Sequence, residues 1–71
     1  MVNEMETLKT NLKKYRFSAE MSQDQLANLV GVRRETIVHL EAGKYNPSLK
    51  LAFDIAKIFN VPIEEIFTYR E

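Results

Sequence analysis

The chain holds only two glycines, Gly31 and Gly43, and each stands at the end of a short amphipathic run. Lacking a Cβ, glycine enters the left-handed region at little cost, so each run is expected to stop there. Ser22 is a good N-cap. With Leu26, Leu29 and Val30 apolar behind it, it predicts a helix from about Gln23 to about Val30. A second helix is predicted from about Arg33 to Ala42, with Ile37 and Leu40 inward. Gly31 and Val32 then leave a turn of about three to four residues, the length that sets consecutive helices nearly perpendicular. Ala27 is the small residue where the two backbones would approach. Leu26, Val30, Val32, Ile37 and Leu40 fill the inward positions.

The flanking segments read as further helices. Met5, Leu8, Leu12 and Tyr15 form a stripe at spacings of three and four, which predicts a first helix over about Glu4 to Phe17, with Asn3 and Glu6 resembling a capping box. The segment Lys44-Tyr45-Asn46-Pro47 is a loop, since the residue before a proline avoids the helical region. Ser48 caps a fourth helix with Leu49, Leu51, Ala52, Ile55, Ala56 and Phe59 inward and Asn60 as a left-handed C-terminal cap. Pro62 opens a short fifth helix through Phe67, and Ile66 to Tyr69 has the propensity for a short strand. The expected fold is all-α, with five helices in one domain spanning residues 1–71. The two-helix motif lies at about 22–42 and a C-terminal region at about 51–71.

Composition narrows the chemistry. With no Cys and a single His, His39, the chain has no material for disulfides or the usual Cys/His zinc sites, so neither a metal nor a cofactor is expected. Its apolar runs fall far short of the roughly 20 residues of a membrane span. Met1 to Glu6 has neither the basic region nor the apolar stretch of a signal peptide, so a cytoplasmic protein is expected. An enzyme would need paired groups in a cleft; Asp24, Asp54, Glu64 and Glu65 with one His form no recognisable set. The formal net charge is +0, but its distribution is uneven. From Thr7 to Lys50 there are eight bases against four acids, net +4, and the flanks carry the compensating −4. Clustered charge of this kind leaves a footprint for a polyanion.

The residues Ser22-Gln23-Asp24-Gln25-Leu26-Ala27, Gly31-Val32, Thr36-Ile37 and Leu40 through Ser48 resemble the Cro and phage-repressor type of helix-turn-helix, also called the xenobiotic-response-element family. The resemblance runs from about Leu12 to Phe67. It implies a lambda-repressor-like five-helix domain that binds operator DNA, generally as a dimer, with its third helix in the major groove. The compact members are stand-alone regulators, so no small-molecule ligand is expected.

By position, the resemblance makes Arg33, Arg34, Glu35 and His39 the base-contacting side chains. Arg suits guanine bidentately and Glu accepts from cytosine. Gln23, Lys44, Tyr45 and Asn46 take the backbone-contact positions. Arg16 and Glu41 resemble the family's buried ion pair. Three positions depart from the pattern: Arg33 stands where Ser or Thr is usual, Glu35 where Gln is common, and Glu20 where Gly is frequent.

Phe53, Ile58, Ile63, Phe67 and Tyr69 are more apolar bulk than so small a core should bury, and the segment from Leu51 to Glu71 is net acidic. A homodimer face directed away from DNA is therefore expected. The expected activity is a sequence-specific repressor that occludes an inverted-repeat operator. The alternative is the antitoxin of a toxin–antitoxin pair, distinguished by a toxin-binding extension.

Overall fold

The computed structural model describes residues 7–70. In chain order these form β1 (Thr7–Thr10), α1 (Leu12–Ser18), α2 (Gln23–Val30), α3 (Arg34–Glu41), α4 (Leu49–Phe59), α5 (Ile63–Ile66) and β2 (Phe67–Arg70). Helices α1 to α5 enclose a core in which Leu12, Leu26, Ile37, Leu40, Ile55 and Ile66 are fully buried. Among the described residues no helix is long and apolar enough to cross a membrane.

The first helix is shorter than its periodicity predicts. Residues 7–10 are a strand paired antiparallel with β2, Leu8 opposite Tyr69 and Thr10 opposite Phe67. The Asn3–Glu6 capping box and Met5 lie outside the described residues. Leu8 is buried as predicted, but on a strand face; a residue at Leu12 − 4 satisfies helix and strand spacing alike. The Thr10 hydroxyl accepts from the Leu12 N–H at 2.9 Å, giving a partner to the first N–H of α1, whose N-cap, Asn11, makes no side-chain capping bond. Asn11 anchors the same corner to α5, its backbone N–H donating to the Ile66 carbonyl at 2.9 Å.

The remaining helix ends follow local chemistry. Ser22 and Gln25 form a reciprocal capping box at α2, and Gly31 closes that helix at φ 73°. The Ser48 hydroxyl accepts from the Leu51 N–H to start α4, and Asn60 ends it at φ 57°. Pro62 stands just before α5 as its N-cap, and Phe67 has already left the helix for β2.

Two apolar expectations need correction. Leu49, expected inward on α4, is 71% exposed. Phe67, expected on a dimer face, is only 8% exposed and belongs to the monomer core. Opposite partners in a sheet share a face, so Phe67 points inward with Leu8, leaving Tyr69 at the outer end of the row.

Candidate nucleic-acid interface

Helix α3 is divided lengthwise. Ile37 and Leu40 are fully buried, whereas Arg33, Arg34, Glu35 and His39 are exposed, the first three at the N-cap and in the first turn. Arg33 is the N-cap, and its side chain makes no capping hydrogen bond, so the start of α3 lacks the polar cap that Ser or Thr would give. The N–H groups of that turn and the two guanidinium groups form one positive end, with Glu35 as the acid within it.

Helix α3 is held to the body by a buried ionic network. Arg16 Nε lies 2.6 Å from Glu41 Oε2, and the two side chains are 7% and 6% exposed. Arg16 Nη2 donates to Glu41 Oε1 at 3.1 Å and Nη1 donates to the Met21 carbonyl at 2.9 Å. The guanidinium thus ties α1 to both the entry of α2 and the end of α3. Gln23 joins the network, its Nε2 donating to Glu41 Oε1 at 3.1 Å. Its side-chain amide therefore supports α3. The backbone N–H groups of Gln23 and Asp24, in the first turn of α2, lie outside the intrahelical ladder.

A polar cleft of about 540 Å³ runs between α1, the start of α2 and the start of α3, lined by Lys13, Arg16, Ser22, Gln23, Asp24 and Arg34. It brings Arg34 beside the N-terminus of α2. Lys13, which the sequence comparison with the phage-repressor pattern did not single out, joins it from α1; the signal available was its place one turn before Arg16. At the other end of α3, the Lys44 N–H donates to the His39 carbonyl at 3.0 Å, which fixes the departure of the loop. Lys44, Tyr45 and Asn46 are exposed there, and the Tyr69 hydroxyl donates to Asn46 Oδ1 at 3.1 Å. The structure thus presents two exposed stations flanking the exposed face of α3, with His39 near the second. Among the described residues, no group of three or more His, Asp or Glu gathers to hold a metal ion.

The residues expected at a dimer face separate. Ile63 lines an apolar groove of about 280 Å³ together with Leu8, Pro47, Leu49, Ala52, Phe67 and Tyr69. Phe53 is 51% exposed one helical turn from Leu49, and Ile58 and Tyr69 are also exposed. This groove shares no lining residue with the polar cleft.

The helix-turn-helix family profile matches residues 12–66. An HTH-type transcriptional regulator from Archaeoglobus fulgidus is 58% identical over 64 residues, covering 90% of each chain. The cryptic phage CTXphi transcriptional repressor RstR from Vibrio cholerae is 29% identical over 62 residues, covering 87% of this chain and 56% of that one. Among solved structures, the restriction-modification controller protein C.AhdI from Aeromonas hydrophila superposes with a TM-score of 0.69 at 30% identity, covering 76% of this chain and 82% of that one.

Proposed function

Because the chain belongs to the XRE-type helix-turn-helix family of DNA-binding transcriptional regulators, we propose that it acts as a repressor, binding an inverted-repeat operator as a homodimer and occluding it. The observation that carries this reading is the exposed first turn of α3, where Arg33, Arg34 and Glu35 stand clear of the core beside the N-terminus of α2. In a major groove these side chains and His39 read base edges. The amides of α2 and the loop from Lys44 to Asn46 hold phosphates and set the register. A phage transcriptional repressor among the relatives supports repression. Such a protein works where the chromosome is, in the cytoplasm.

The apolar groove and the exposed Leu49, Phe53 and Tyr69 beside it support self-association through the C-terminal third, with Ile58 and Ile63 contributing. A twofold pair would place the two recognition helices about 34 Å apart, one turn of DNA. Selection of bound fragments from a random duplex library tests the whole reading. An inverted repeat bound by two copies is the expected outcome; binding without sequence preference or salt dependence would overturn it.

A further inference from the structure

Phe17 stands 61% exposed at the end of α1, where it adds little to the core. Its ring is flanked by two cations: the Arg16 guanidinium carbon lies 4.9 Å from the ring centroid and Lys13 Nζ 5.7 Å from it. Both distances are within cation–π range. Lys13 and Phe17 are four residues apart and so neighbours on one helix face. Arg16 is already committed to Glu41, whereas among the described residues the ion pairs are Arg16–Glu41 and Lys50–Asp54, which leaves no carboxylate holding Lys13. Lys13 lines the cleft that also contains Arg34 and the start of α2, with Asp24 the acid on its wall.

We infer that Lys13 is a further DNA-backbone contact, outside the two-helix motif, and that Phe17 is its positioning residue. The inference rests on the DNA-binding reading above. A free lysine samples many rotamers, and ordering it on a phosphate costs entropy. Resting against the ring, Lys13 keeps its ammonium at the cleft before DNA arrives, so less ordering is left to be done on binding. The contact carries no base information; it adds affinity to every sequence equally and increases the salt dependence.

The experiment measures binding of the full chain to a random-sequence duplex by fluorescence anisotropy over a series of KCl concentrations. Lys13→Gln is expected to reduce the slope of log K against log salt by about 0.9 per bound protomer, as for one lost phosphate contact, with an unchanged melting temperature. Lys13→Arg is expected to retain the slope. Phe17→Leu is expected to keep the slope, since Lys13 still reaches its phosphate, but to weaken binding at every salt concentration, and to add nothing when combined with Lys13→Gln. In the free protein, the Lys13 Hε proton resonances should be shifted upfield by the ring and return to ordinary positions in Phe17→Leu, a signature that lost packing alone would not give. A wild-type slope in Lys13→Gln, while Lys44→Ala still lowers it, overturns this inference and leaves the DNA-binding reading standing. Additive losses from Phe17→Leu and Lys13→Gln, or unshifted Lys13 resonances, overturn the positioning role. Absence of salt-dependent binding by the wild type overturns both readings.

Discussion

Gly43 and Leu8 meet so closely that a Cβ on Gly43 would lie 2.8 Å from the Leu8 carbonyl oxygen. Gly43 also sits at φ 73°, so a side chain there is opposed twice, by backbone conformation and by contact. The glycine that follows the C-cap of α3 is thereby pressed against β1. Gly43→Ala should cost more than the roughly 1–2 kcal/mol of left-handed strain alone. Thermal melts of a domain this size should show a loss of more than about 4 °C.

Removing one partner of the Arg16–Glu41 pair leaves a buried charge without its mate. Glu41→Ala should destabilise by about 3–5 kcal/mol in urea denaturation, whereas replacing both residues with apolar side chains of similar volume should be far milder. Gln23→Ala should cost less than Glu41→Ala, because it removes one hydrogen bond to the carboxylate and leaves the ion pair in place.

Glu20 holds φ 55°, the left-handed conformation for which glycine is suited. Glu20→Gly should therefore stabilise the protein, by up to about 1 kcal/mol after the greater freedom of glycine in the unfolded chain is counted. A higher melting temperature with unchanged DNA affinity is the expected pair of readings.

On the selected operator, Arg34→Ala should lose about 1–3 kcal/mol and relax one base position, while Lys44→Ala should weaken all sequences evenly. Parallel titrations against the selected site and a scrambled duplex check both. Equal losses on both duplexes for both variants would remove the assignment of base reading to α3.

The proposed dimer face is tested at Phe53. Phe53→Glu should give a folded monomer in sedimentation with much weaker operator binding, since each half-site then loses the effective concentration supplied by its partner. Phe67→Glu should instead unfold the chain, because Phe67 is in the core.

The elements whose ends are set by local chemistry were legible from the sequence: Ser22, Gly31, Ser48 and Asn60 each mark a helix boundary, and the stretch between Ser22 and Gly43 adopts the predicted pair of helices. The segment around Leu8 was not, because its strand conformation depends on pairing with Tyr69 far along the chain, and its own spacing fits a helix equally well. Phe67 was misplaced for the same reason: once β2 pairs with β1, alternation turns that ring inward. Leu49 was misread because it stands on the flank of the buried stripe of Leu51, Ala52, Ile55 and Ala56, one turn before the exposed Phe53, where the spacing alone does not tell the edge of a face from its centre. At the interface, the exposed positions of α3 followed from periodicity, whereas Lys13 and the Gln23–Glu41 bond needed three helices to be brought together in space.

The β1–β2 pairing also sets an order of assembly. Helices α1 to α3 meet through contacts close in sequence, but Thr7 must wait for Arg70 before the sheet can close. On a ribosome, α3 can be packed while β1 still has an open edge and the groove by Leu8 lacks Phe67 and Tyr69. The same final strand that completes the sheet also brings Tyr69 to Asn46. The nascent chain thus has α3 before it has either the completed apolar groove or the tether on the loop beside that helix.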